Sequence, residues 1–238
     1  MKKIIIIKAD STFEQIIQKH GDFDQWVADE LSINSDAVKS VDVRNGEKLP
    51  DPSDILGAIM TGAHSMVTEK QDWSEKTAKW IKRAVDSGTP FFGICYGHQL
   101  LAYAMGGVVD YNEKGMEIGT VKVGFKPERY DDPVFNEMPD EISAHSIHSQ
   151  SVMKLPSDSV RLAGNQHEKN HVFRIGECAW GVQFHPEFDA DIMRAYIKMY
   201  SADLAEDGID AEVLNDAVEE TPKASYLLKR FAEFCTNR

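Results

Sequence analysis

The chain has 238 residues, 42% of them hydrophobic, and a formal net charge of −13. Such a length buries a full core, and the acidic balance argues against a nucleic-acid or anionic-membrane surface, which requires clustered Lys and Arg. Three cysteines, far apart and odd in number, argue against a disulfide framework and suit a reducing, cytoplasmic compartment.

The chain opens on MKKIIIIKAD, where Lys8 and Asp10 close the isoleucine run too early for a signal peptide. The continuous apolar run Lys3–Lys8 reads as a strand covered on both faces. Phe23–Leu31 has helical spacing, Val41–Val43 reads as a short strand, and Ile55–Thr61 as a buried strand ending at Gly62. Asp72–Ser87 reads as an amphipathic helix stopped by Gly88 and Pro90, with Trp73 and Trp80 both expected in the core. Phe91–Ile94 is again a strand and His98–Met105 a helix. Strands alternating with helices predict an α/β fold with a mainly parallel central sheet and helices on both faces. After Gly107 the segments Val108–Tyr111, Gly119–Phe125, Val160–Ala163 and Val172–Ile175 are short and turn-bounded, which predicts a small antiparallel extension. Trp180–Phe184 returns to a buried strand and Ala190–Ser201 to a helix. The tail 202–238 is charged and helical in pattern, its last apolar stripe (Ala224–Phe234) packed on the sheet. No stretch approaches the ~18 apolar residues of a membrane span, and no repeat or linker divides the chain, so one domain is expected over 1–238.

The chemistry-bearing stretch is Gly93-Ile94-Cys95-Tyr96-Gly97, set between a predicted strand and a predicted helix. A G-x-C-x-G turn of this kind lifts the central side chain out of the sheet. It places Cys95 at a helix N-terminus, where the dipole favours thiolate, and aims the Tyr96 backbone N–H where an oxyanion would form. The base comes 90 residues later in GVQFHPEF, where His185 ends a buried strand and Glu187 follows at a spacing that lets it hold one imidazole nitrogen. In a parallel sheet both segments sit at C-terminal strand ends, where open α/β sheets form their sites.

FFGICYGHQ followed by GVQFHPE resembles the class I, triad-type glutamine amidotransferases, with a flavodoxin-like fold. The resemblance covers roughly residues 2–200 and implies Cys95 as nucleophile, His185 as general acid/base and Glu187 as its orienting partner. It also implies an oxyanion hole built from the backbone N–H groups of Tyr96 and Ala63, the latter in the loop TGAHS (Thr61–Ser65). Relatives carry glycine at the Ala63 position; a backbone donor does not require it, though a positive φ would strain alanine. Substrate-binding residues by the same resemblance are Gly62, Gln99, Glu117, Gly119, His148 and Ser149. The implied partners are glutamine or another γ-glutamyl small molecule and a synthetase-type acceptor subunit.

Two alternatives stand beside glutamine hydrolysis with ammonia delivery. One is a γ-glutamyl peptidase acting on conjugates, which needs the same chemistry and an open leaving-group side near Ala63, His64, Tyr96 and Gln150. The other is a regulatory subunit without catalysis, against which an intact Cys95, His185 and Glu187 argue. His145-x-x-His148 and His167-x-x-x-His171 have metal-like spacing, but no cysteine cluster accompanies them and no metal is expected. Neither GxGxxG nor GxxxxGK[ST] occurs, so no nucleotide cofactor is expected. Met60, Met66, Met105, Met116 and Cys178 read as packing residues, and nothing decides the oligomeric state.

Overall fold

A computed structural model describes residues 2–238. In chain order the elements are β1 (Ile4–Lys8), α1 (Glu14–His20), α2 (Phe23–Glu30), β2 (Val38–Asp42), β3 (Gly57–Met60), α3 (Asp72–Asp86), β4 (Phe91–Ile94), α4 (Tyr96–Ala104), β5 (Val108–Tyr111) and β6 (Glu117–Phe125). There follow β7 (Glu141–His148), β8 (Gln150–Lys154), β9 (Ser159–Gly164), β10 (Val172–Ile175), β11 (Ala179–Val182), α5 (Ala190–Met199), α6 (Ser201–Glu206), α7 (Ala211–Asp216) and α8 (Pro222–Thr236).

Nine strands form one sheet in the order β2-β1-β3-β4-β11-β10-β9-β6-β7, while β5 and β8 pair separately. The five strands from β2 to β11 run parallel, and from β11 onward every ladder is antiparallel. The isoleucine run explains itself in this setting. Ile4 and Ile6 join the core on one face, with Ile59, Phe92, Trp180 and the α8 residues Leu227 and Phe231. Ile5 and Ile7 join the core on the other, with Ala58, Met60, Phe91 and residues of α3 and α4. Period-two alternation with both faces covered requires every position to be apolar.

A third cluster lies at one end of the sheet, where Phe23, Trp26, Phe188, Tyr196 and Leu204 pack together. α1, β7 and β8 are additions to the expected elements, and β6 begins at Glu117, two residues early. The short, polar-interrupted α1 carries a single fully buried side chain, Ile16, which leaves a weak periodic signal. Trp80 is buried as expected, but Trp73 is half-buried and stacks on Tyr96 at 5.4 Å between ring centroids. Among the described residues no helix is long and apolar enough to cross a membrane.

Candidate active site

The turn after β4 is as tight as its glycines predict. A side chain at Gly93 would run into the Gly97 carbonyl, and one at Gly97 would meet the Met60 carbonyl oxygen at 2.6 Å. The chain therefore turns where no Cβ could be fitted. Cys95 sits at the crest with φ +49° and ψ −97°, a conformation costly for a side-chain-bearing residue. It is held there by its own N–H donating to Val182 O (2.8 Å) and by the α4 bond from Gln99 N–H to its carbonyl (3.0 Å). The Cys95 Sγ lies 3.6 Å from Ile147 O.

β11 lies beside β4 in parallel register, Val182 opposite Ile94, so the chain leaving β11 runs next to the cysteine turn. His185 is fixed from several sides. Its backbone N–H donates to His145 O at 2.7 Å, its Nδ1 is 2.8 Å from Glu187 Oε1, and its ring stacks on Phe188 at 4.2 Å. Nε2 is buried with no other protein hydrogen-bond partner among the described residues. Burial opposes a charge on this imidazole, yet the Glu187 carboxylate and the Cys95 sulfur beside it raise its pKa well above the ordinary value. Glu187 is itself 3% exposed, so the carboxylate acts on the ring through little intervening solvent.

Gly62 packs against this imidazole, where a Cβ would approach His185 Cε1 to 2.8 Å. The next residue, Ala63, has no positive φ, which among the described non-glycine residues only Ser32, Lys70 and Cys95 show, so alanine stands in the loop without that strain. Tyr96 is the first residue of α4, where backbone N–H groups lack intrahelical acceptors. Its ring is 1% exposed and its Oη donates to Ser74 Oγ at 2.6 Å.

Cys95, His185, Ala63, Tyr96, Gln99, His148 and Ser149 line one cleft of about 110 Å³. Gln99 is oriented by donating to Gln150 O (2.7 Å) and Gln183 Oε1 (3.1 Å). Glu117 is not at the surface of the cleft. It lies behind His148, its Oε2 3.1 Å from His148 Nε2 and from His171 Nε2, accepting from Ser146 Oγ, while its Oε1 accepts from Asn165. Burial works against this carboxylate's charge, but the contacts with His148 and His171 hold its pKa well below the usual range. Gly119 corrects the expectation more fully: with φ +113° it faces Leu214 of α7, away from the cleft. Glu117 and Gly119 are two residues apart and share a face of β6, but Glu117 opens the strand opposite His148, whereas Gly119 lies further along the ladder, opposite Ser146 and beside α7.

The cleft also has a wall that the sequence does not announce, formed by Phe23, Tyr196 and Tyr200 together with His64. The His64 ring packs on Phe13 in a tilted arrangement, 4.4 Å between centroids, and burial lowers its pKa. Phe23 opens α2, Tyr196 lies in the last turn of α5 and Tyr200 follows it; they belong to the third core cluster and also border the cleft, which helical spacing alone does not reveal. Met66 and Met116 line the cleft as well, whereas Met60 is core packing. His145 does not pair with His148 around a metal. It bonds Thr120 Oγ1 at 3.2 Å, and no group of His, Cys, Asp and Glu among the described residues has metal-binding geometry.

A cysteine on a strand-to-helix turn, facing a carboxylate-held histidine, defines a cysteine-hydrolase type of site. Residues 15–198, over three quarters of the chain, match the family model for glutamine amidotransferase class-I, and the chain belongs to that family. Gamma-glutamyl peptidase 4 of Arabidopsis thaliana is 28% identical over 81% of this chain and 78% of its own length. A gamma-glutamyl-L-1-hydroxyisopropylamide hydrolase of a Pseudomonas species is 30% identical over 74% of this chain and 61% of its own length. A glutamine-hydrolyzing GMP synthase subunit of Methanococcus vannielii is 31% identical over 60% of this chain and 70% of its own length. The crystal structure of a glutamine amidotransferase from Thermotoga maritima shares the fold along the whole length of both chains, with a TM-score of 0.75 at 24% identity.

Proposed function

We propose that the chain hydrolyses a γ-glutamyl amide through a covalent thioester on Cys95, with glutamine as the first substrate. The observation that carries this reading is the convergence in one cleft of a strained, helix-capping cysteine and a histidine bonded to Glu187 at 2.8 Å.

A carboxamide is a poor electrophile, and a covalent route splits its hydrolysis into two easier steps. The Cys95 sulfur, having passed its proton to His185 Nε2, attacks the γ-carbonyl carbon. The C=O electron pair moves to oxygen, where the Ala63 and Tyr96 amides donate to it. Each such donor contributes about 3 kcal/mol in comparable sites. His185 returns the proton to the departing nitrogen, the C–N bond breaks, and ammonia or an amine leaves. Water then gives a proton to His185 and attacks the thioester; the C–S bond breaks, releasing the γ-glutamyl carboxylate and regenerating Cys95. Glu187 holds Nδ1–H throughout, so Nε2 is the nitrogen that exchanges protons with the substrate. Gln99, His148 and Ser149 hold the amino-acid end. Glu117 acts one step back, as a buried acceptor that orients His148.

A second reading, hydrolysis of γ-glutamyl conjugates, is favoured by the aromatic wall of Phe23, His64, Tyr196 and Tyr200, which suits a leaving group larger than ammonia. The names of the Arabidopsis and Pseudomonas relatives support it. The Methanococcus relative supports instead a synthetase-type partner that consumes ammonia. Glutamate release from glutamine and from γ-glutamyl dipeptides, each against Cys95→Ala, separates these readings. Release from glutamine alone gives an ammonia donor and release mainly from dipeptides a peptidase. Activity surviving Cys95→Ala defeats both.

A further inference from the structure

Outside the cleft, a groove of about 870 Å³ lies between the loop following β2 and the outer face of α3. Val43, Leu49, Trp73 and Trp80 provide its apolar surface. Its rim carries Arg44, Lys48, Lys76, Lys79 and Arg83 against only two acids, Glu47 and Asp72. This is a local excess of positive charge on a chain whose net charge is −13. Lys48, Lys76, Lys79 and Arg83 are exposed and form no ion pair among the described residues. The stretch of α3 from Asp72 to Arg83 gives the groove a length of ~16 Å at 1.5 Å per residue.

Both walls of the groove reach the candidate oxyanion hole. On the α3 side Trp73 stacks on Tyr96, and Ser74 accepts from Tyr96 Oη at 2.6 Å. On the loop side Arg44 donates to Ser65 Oγ at 2.6 Å, two residues beyond Ala63, and to Asp10 Oδ2 at 2.7 Å. An occupant spanning the groove therefore bears on the supports of both hole donors.

We propose that this groove is the docking site for an acidic, partly apolar segment of a partner protein, and that filling it fixes the spacing of the Ala63 and Tyr96 amides and so raises turnover. Charge complementarity selects the acid: four unpaired cations line an open channel with an apolar floor. The length favours a peptide over a small anion, since ~16 Å accommodates about five extended residues at 3.3 Å each. The docking surface stands on its own; the link to turnover rests on the amidase reading above.

The test uses the whole protein and a short peptide of alternating Glu and Leu, with Trp73 and Trp80 fluorescence as the reporter. Binding should saturate and weaken as salt is raised. It should fall at least ~10-fold in Lys76→Glu/Arg83→Glu, whose exposed sites leave folding and basal activity unchanged. The matching Lys–Leu peptide should not bind. In the same titration kcat should rise several-fold with KM little changed. Ser74→Ala should keep the binding and lose the rise. Absent binding, equal binding of the Lys–Leu peptide, or displacement by equimolar ATP overturns the docking assignment. Binding with kcat unchanged overturns the link to the hole. Fluorescence needs no turnover, so a chain inactive on every γ-glutamyl amide still tests the docking surface.

Discussion

The two halves of the sheet divide the work of the cleft. The parallel half delivers Cys95 from the end of β4, Gly62 and Ala63 from the end of β3, and His185 from beyond β11. These strands are neighbours, and their C-terminal ends converge because parallel strands all point the same way. The antiparallel half delivers Glu117 from β6 and His148 from the end of β7, two strands whose register sets Glu117 opposite His148. On the proposed mechanism, chemistry rests on doubly covered strands, while recognition rests on a ladder at the sheet's edge. The proposed bond-making residues are placed by local backbone strain and close packing, the proposed recognition residues by strand register.

Substitutions in the parallel half should strike kcat. Cys95→Ala should lower glutaminase or peptidase kcat by at least ~10⁴-fold, as removal of a nucleophile does in comparable triads. Glu187→Gln should cost roughly 10³–10⁴-fold in kcat by freeing the imidazole to take the wrong tautomer. Gly62→Ala should cost about 10²-fold, because a new Cβ 2.8 Å from His185 Cε1 displaces the ring, and small misplacements of reacting groups are expensive. The antiparallel half should answer differently. His148→Ala should raise KM ~10-fold with a smaller change in kcat, read from saturation kinetics. A kcat loss as deep as that of Glu187→Gln would break the division between the halves.

Acid should act on buried histidines through stability. Burial lowers His98 to about 3, so it folds neutral, and His145 is lowered to about 4 for the same reason. Between the ordinary imidazole pKa near 6.5 and these values the unfolded chain binds more protons than the folded one. Unfolding free energy should therefore fall with pH there, with each histidine contributing a slope of up to about 1.4 kcal/mol per pH unit. Denaturant titrations from pH 7 to pH 4 check this. Replacing His98 by Gln should flatten the slope, and an unchanged slope would remove His98 from the account.

What can be read in the sequence follows the same division. The isoleucine run, the Gly93–Gly97 turn and the HPE segment are local patterns whose physics is complete within a few residues. They place the parallel half, Cys95 and His185 in one cleft, and Glu187 against the imidazole. Gly119 cannot be placed in this way, because which stretch of β6 meets the cleft is set by its register with β7, a strand that local patterning does not reveal. Phe23, Tyr196 and Tyr200 escape for a related reason. An aromatic at helical spacing looks the same whether or not its core cluster also borders a cleft, and only the packing of α2 and α5 around His185 brings these to the cleft.

The most direct test of the central claim is to trap the intermediate. The protein would be mixed with glutamine or a γ-glutamyl dipeptide, quenched in acid within a turnover, digested and analysed by mass spectrometry. The account predicts a γ-glutamyl group on the peptide containing Cys95, accumulating in the wild-type chain and absent from Cys95→Ala. An adduct on any other residue, or steady glutamate release by Cys95→Ala, would contradict it.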